Sequence, residues 1–279
     1  MKNKKIIAVL GAFLMAGTFA GCAKATDKRS NTNEANNEIY EELPEEMAPQ
    51  TPEIPETPAV TIPEPPKVQT VSYIRVTSDG VNIRSGAGTG YSSLGTAEKS
   101  TLYALIGEED GWYKTNYKNK TVYISKKYCS VYEMEKCDNE AIEAVIAEGA
   151  KCLGVPYVYG ATRLHDGKGN MYKGFSTNAF DCSSLMQYMF YKGADKLLDV
   201  NTRTQIYQGT TVSKSKLKRG DLIFFTNASR KNYTGIERVG HVAMYLGDNY
   251  ILHTASDYAK IEQISTTRWG YYIQAQRMI

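Results

Sequence analysis

Between residues 23 and 70 the chain carries Pro44, Pro49, Pro52, Pro55, Pro58, Pro63, Pro65 and Pro66, all but one of its prolines, spaced among Glu41, Glu42, Glu45 and Glu46. Each proline fixes φ and removes a backbone donor, so neither a helix nor a sheet ladder can run through the tract. The segment also lacks the apolar surface that would offset the entropy of ordering it. Residues 23–70 are therefore expected to be a solvated, extended tether with polyproline II character. Any packed core has to come from residues 71–279, a stretch long enough for two modest domains.

The segment before the tether reads as a targeting signal. Lys2, Lys4 and Lys5 form a basic start, residues 6–19 an apolar run too short to span a bilayer, and Ala20 and Gly21 lead to Cys22. Phe19-Ala20-Gly21-Cys22 resembles a bacterial lipobox, with Phe19 where leucine is usual. The resemblance implies a leader over residues 1–22 and a lipidated Cys22, whose two or three acyl chains suffice for stable anchoring. The alternative is an ordinary secretory signal cut near Ala23 or Ala25. Beyond this start no block of basic residues is interleaved with aromatics, and the net charge is only +3, so a nucleic-acid partner is set aside. Twenty-one tyrosines and 23 glycines fit an extracytoplasmic protein that binds polar polymers.

Residues 71–133 alternate. Tyr73 to Val76, Gly80 to Arg84, Ser100 to Ile106, Gly111 to Thr115 and Thr121 to Ile124 are short runs with period-two apolar positions, separated by Gly, Asp, Ser and Asn turns. Such a run of strands predicts a small all-β barrel. Val81-Asn82-Ile83-Arg84-Ser85-Gly86, Gly95-Thr96, Gly111-Trp112-Tyr113 and Val122-Tyr123-Ile124-Ser125 resemble a bacterial SH3 domain, which implies contact with cell-wall peptides. Trp112 and Tyr113 are either that contact surface or core.

Residues 137–279 switch to a mixed pattern. Asp138 or Asn139 can cap a helix on which Ala141, Ile142, Val145, Ile146, Gly149 and Leu153 recur at helical spacing, ended by Gly154 and Pro156. A loop from Ala161 to Ala179 is long enough to be functional. It leads to Phe180-Asp181-Cys182-Ser183-Ser184 and the apolar positions Leu185, Met186, Met189 and Phe190, which place Cys182 at a helix start. The positive end of a helix dipole lowers a thiol pKa, so Cys182 is a candidate nucleophile. A buried structural thiol is the plainer alternative. Downstream, Leu222 to Phe225 has the length of a buried strand, and His241 to Gly247 with Tyr250 to Thr254 reads as a hairpin turning at Asp248-Asn249. On that hairpin His241 and His253 fall near one another on one face. A nucleophile needs a base, and the base a group that fixes its tautomer; Cys182, His241 and His253 supply the set. Zinc is disfavoured because no close pair of ligands such as C-x-x-C is present. No metal or other cofactor is expected.

Pro156-Tyr157-Val158-Tyr159-Gly160, Phe180-Asp181-Cys182-Ser183-Ser184, Arg219-Gly220-Asp221-Leu222-Ile223-Phe224-Phe225, Gly240-His241-Val242-Ala243-Met244-Tyr245-Leu246-Gly247 and Ile251-Leu252-His253 together resemble the NlpC/P60 family of papain-like cell-wall peptidases. The resemblance implies an α+β domain in which the helix carrying the nucleophile packs on an antiparallel sheet. It assigns Cys182 as nucleophile, His241 as general base and acid, and His253 as the orienting residue. It also implies cleavage of peptidoglycan stem peptides between D-glutamate and the diamino acid. Asp181 and Ser183 would hold the substrate's free amino end, and Tyr157 would lie beside the scissile carbonyl. Ser184 stands where the family usually has glycine, and the loop to Phe180 is longer than usual.

Two other readings stay open: a wall-binding lipoprotein that no longer cuts, and a related cysteine amidase or acyltransferase on a non-wall substrate. Pairing among Cys129, Cys137 and Cys152 is left open too. Cys22→Ala is expected to release the protein from the membrane fraction or leave its precursor unprocessed; an unchanged fractionation and gel mobility would remove the lipobox assignment.

Overall fold

The computed structural model describes residues 68–279; Cys22, the leader and the tether lie outside the described residues. Eight strands come first: β1 (Thr70–Val76), β2 (Val81–Arg84), β3 (Ser93–Ala97), β4 (Leu102–Ala104), β5 (Gly107–Glu109), β6 (Trp112–Tyr117), β7 (Lys120–Ser125) and β8 (Cys129–Glu135). After them come α1 (Glu140–Lys151), α2 (Cys182–Ala194), α3 (Thr202–Gln205), β9 (Thr210–Val212), β10 (Leu222–Phe225), β11 (His241–Gly247), β12 (Tyr250–Ala255), β13 (Tyr258–Gln263), α4 (Thr266–Gly270) and β14 (Tyr272–Arg277). The class is mixed α and β, an SH3-like all-β region beside a sheet with helices packed on it.

The all-β region does not close on itself. Its strands divide between two open sheets, one ordered β3-β2-β7-β6-β5 and a larger one ordered β8-β1-β4-β13-β12-β11-β10-β14-β9. The link is the pairing of β13 with β4 at Ile261 and Leu102, both fully buried. An unpaired strand edge exposes donors and acceptors; here the edge of the C-terminal sheet is covered by strands from the N-terminal region.

Alternation is read out as anticipated where one face is wet. In β6 every second residue is buried, so Tyr113 is core, while Trp112 is half-buried. The central strand β10 is buried on both faces. Leu222 and Phe224 join the main core with α1, α2 and the SH3-like residues, whereas Ile223 and Phe225 join a smaller cluster with Val212, Ala243 and Ala275.

Helix ends follow local chemistry. Asn139 caps α1 by accepting from the Ala141 N–H at 3.0 Å. At the other end of α1, the β6–β7 turn donates from Lys118 to Leu153 O (2.7 Å) and from Asn119 to Lys151 O (2.8 Å). The two turn residues have φ of +51° and +59°, which brings both N–H groups to bear on that helix end. Helices α1 and α2 cross closely at Gly193, where a Cβ would collide with the backbone of Val145.

Arg219 binds these parts together. Its guanidinium donates to both Glu143 oxygens on α1 (2.6 and 2.9 Å), to the Tyr73 hydroxyl on β1 (2.8 Å) and to Leu246 O on β11 (3.0 Å). The neighbouring Gly220 has φ +95°, and a Cβ there would run into Ile142, so the chain can present Arg219 only with glycine beside it. Burial works against the Glu143 charge, but the Arg219 bonds and the Cys137 N–H hold its carboxyl below the usual range. A lowered folded-state pKa means that this contribution is present above the ordinary carboxylate range and is lost as pH falls through the folded value. Arg219→Met is expected to cost about 3–5 kcal/mol in denaturant unfolding, because it leaves the Glu143 carboxylate without its counter-charge. Adding Glu143→Gln to it should recover part of that loss; a double variant no more stable than Arg219→Met would show that the ion pair is not the source.

Candidate active site

Cys182 is the first residue of α2, and the turn before it is built by its neighbours. Asp181 is the N-cap: its Oδ1 accepts from the Ser184 N–H at 2.9 Å, and Ser184 Oγ accepts from the Asp181 N–H at 2.9 Å. The pair forms a capping box. Ser184 is fully buried and is the reciprocal cap. Phe180 is fixed against Pro156 and Val158 by paired backbone bonds of 3.1 and 2.9 Å, which places Tyr157 beside Asp181 and Cys182.

The helix start does not make Cys182 a standing thiolate. Burial pushes its thiol up to about 12, the Asp181 charge adds to the rise, and the backbone N–H groups of Val242 and Ser183 only partly oppose it. Desolvation outweighs the dipole here, the reverse of what its position in the sequence suggests. At rest Cys182 is a neutral thiol.

The histidines come from the β11–β12 hairpin. Asp248 and Asn249 have φ of +47° and +65°, giving the tight turn that the sequence anticipates, with a bulge at Gly247. The register pairs Met244 with Leu252, so His241 and His253 stand diagonally on one face. Their rings lie edge to face, with His241 Nε2 and His253 Nδ1 3.0 Å apart. Both are buried, and helix α2 packs against the two strands. Burial, then the neighbouring His253 and Arg268, takes His241 well below its ordinary pKa, and burial lowers His253 as well. Both rings are neutral at neutral pH.

The sequence reading missed the next member of the row. Glu262, on β13, places Oε1 2.9 Å from His253 Nε2 and 3.2 Å from Arg268 Nη2 on α4. Burial opposes the Glu262 charge, but the bond to His253 and the Arg268 guanidinium hold its carboxyl below the usual range. An ionised carboxylate only accepts, so His253 carries its proton on Nε2 and offers a lone pair at Nδ1. His241 must then donate from Nε2, which leaves its Nδ1 unprotonated. Glu262 thus sets the tautomer of both rings. The alternation of Tyr258, Lys260 and Glu262 with Ala259 and Ile261 was the available signal for this strand.

Two adjoining cavities flank Cys182 and His241. One of about 290 Å³ is lined by Cys182, Asp181, Ser183 and Arg163; the other, of about 410 Å³, is lined by His241, Thr226 and Arg268; Tyr157 and Gly240 border both. No residue of the SH3-like region lines either. Among the described residues, no group of His, Cys, Asp or Glu converges to hold a metal ion, and Cys129, Cys137, Cys152 and Cys182 are all unpaired.

Residues 154–278 match the NlpC/P60 family, and residues 79–130 match the bacterial SH3 domain. Peptidoglycan endopeptidase RipA of Mycolicibacterium smegmatis is 34% identical over 137 residues, 48% of this chain and 25% of that protein. A gamma-D-glutamyl-L-lysine dipeptidyl-peptidase of Bacillus cereus is 31% identical over 185 residues, 64% of this chain and 50% of that protein. The chain thus spans a quarter to a half of these relatives. The crystal structure of an NlpC/P60 family protein from Bacillus cereus aligns with 75% of this chain and 63% of its own, at 24% identity and a TM-score of 0.40. Residues 154–278 are thus similar to NlpC/P60 domains and residues 79–130 to bacterial SH3 domains, and one of the relatives is named as a peptidoglycan endopeptidase.

Glu262→Gln is expected to lower kcat about 10-fold with KM unchanged, because a carboxamide can present either an acceptor or a donor to His253 and no longer fixes the tautomer. The acid limb of kcat should also move to lower pH, since the lost carboxylate favoured the protonated histidine pair. A KM effect alone, with an unmoved pH profile, would assign Glu262 a purely structural part.

Proposed function

We propose that the chain is a cysteine peptidase that hydrolyses peptidoglycan stem peptides at the bond between γ-D-glutamate and the diamino acid. The observation that carries this reading is the hydrogen-bonded row His241–His253–Glu262 on the sheet that packs against the Cys182 helix. The names of the relatives support the substrate class.

In this reading the neutral thiol and neutral imidazole set the order of events. As Cys182 Sγ attacks the γ-carbonyl carbon, its proton passes to His241 Nδ1, and the imidazolium is stabilised through His253 by Glu262. The oxyanion is met by backbone N–H groups at the start of α2, including that of Cys182, each worth about 3 kcal/mol in comparable sites. Collapse breaks the C–N bond, His241 returns the proton to the leaving amine, and a thioester to Cys182 remains. Water, deprotonated by His241, attacks the thioester and releases the glutamyl carboxylate and the thiol. Tyr157, Asp181 and Ser183 border the side of the cleft that takes the acyl part. We further propose that the protein works outside the cell membrane, tethered through Cys22 and facing the wall.

Cys182→Ala and His241→Ala should each abolish release of the diamino-acid peptide from muropeptides, read by product mass. His253→Ala should retain a weaker remnant, since His253 orients rather than transfers the proton. Full turnover by Cys182→Ala would end this reading.

A further inference from the structure

The cleft departs from expectation at Asp181. A carboxylate that holds a substrate ammonium needs lone pairs and charge to spare, and this one has neither. Oδ1 accepts from the Ser184 N–H at 2.9 Å and from the Ser183 hydroxyl at 3.0 Å. Oδ2 accepts from the Gly160 N–H at 3.2 Å and from Arg163 Nη2 at 2.7 Å. The Asp181 side chain is 5% exposed and the Arg163 side chain 19%, so the pair is largely withdrawn from water.

Arg163 belongs to the long loop and is held there from several directions. Its Nε donates to Val200 O at 2.9 Å, its Nη1 to Ala161 O, and its Nη2 also reaches Ser183 Oγ at 3.3 Å. Arg203 and Arg230 border the same cavity, though each contacts Glu237, at 3.3 and 3.2 Å. The cavity does not end at Arg163. Gly160, Arg163 and Asn201 also line a second space of about 460 Å³ that continues to Tyr172 and Val200, and no residue of the SH3-like region borders it.

We propose that the acyl-side subsite of this cleft takes a stem peptide whose amino end is acylated, as it is while joined to glycan, and that Arg163 is the residue that decides it. The proposal rests on the hydrolase reading above and names the form of its substrate. A secondary amide carries no charge, so it meets no repulsion from the guanidinium groups. Its carbonyl oxygen can accept the Nη1 proton that Arg163 does not give to Ala161, and its substituent can continue into the second space. An ammonium at the same place has to displace Arg163 from Asp181.

The test compares two synthetic peptides, L-Ala-γ-D-Glu-diamino acid with a free amino end and the same peptide N-acetylated, as substrates of the chain with intact cysteine. The acetylated peptide should have the higher kcat/KM, by about 10-fold or more. Arg163→Ala should move the ratio toward the free amine by a similar factor, and Arg163→Lys, which keeps the charge on Asp181, should move it less. A parent protein that prefers the free amine overturns the proposal whether or not the variants fold, and so does a folded Arg163→Ala with an unchanged ratio. If neither peptide is cut, binding of both to Cys182→Ala by calorimetry separates the two readings. Tighter binding of the acetylated peptide upholds the subsite while removing the hydrolase, whereas binding of neither, or of the free amine alone, removes both.

Discussion

The two-pronged contact between Arg219 and Glu143 sits where three stretches distant in sequence meet. One guanidinium touches α1, the first strand of the SH3-like region and the strand that carries His241. A buried ion pair is weak evidence of net stability, because desolvation of both charges offsets much of their attraction. Its value here is geometric: only one arrangement of α1, β1 and β11 satisfies all the donors of Arg219. The SH3-like region is thereby tied through Tyr73 to the sheet that carries His241 and His253, and its strands β1, β4 and β8 extend that sheet. It supports the site without lining the cavities beside Cys182.

Burial governs the chemistry of the site. A helix N-terminus favours a thiolate, yet Cys182 is enclosed so fully that the thiol is pushed up to about 12, and His241 is driven the other way by the same enclosure. Both effects disfavour a resting thiolate–imidazolium pair and favour the neutral one. The row His241–His253–Glu262 directs an unprotonated ring nitrogen away from His253, and in the proposed reaction Glu262 would supply the carboxylate for a cation formed on His241. In the proposed reaction Glu262 would act through the rings it orders, standing two hydrogen bonds from the His241 ring.

Asp181 shows how one side chain can be claimed by structure before substrate arrives. As the N-cap of α2 it satisfies an orphan helix donor, and as the partner of Arg163 it anchors the loop that precedes the helix. Further inside, Gln187 of α2 donates to His165 O and Leu198 O, so the long loop is fastened to the helix that carries Cys182.

Much of this was legible in the residues. The alternation of Val81 to Arg84 and Trp112 to Tyr117, the caps at Asn139 and Asp181, the buried run Leu222 to Phe225 and the turn at Asp248-Asn249 are local patterns with local causes, and the chain folds by them. The place of Cys182 at a helix start and the closeness of His241 to His253 followed from a cap and a hairpin, both short-range features. Tertiary structure decided the rest, because the deciding forces act between residues far apart in sequence. Only packing could show that burial overrides the helix dipole at Cys182, that Glu262 on the third strand fixes the tautomers, or that Arg163 reaches Asp181. The joining of the SH3-like strands to the sheet of His241 and His253 at Leu102 and Ile261 was likewise invisible, since a strand's sequence records which face it buries but not which edge it will find.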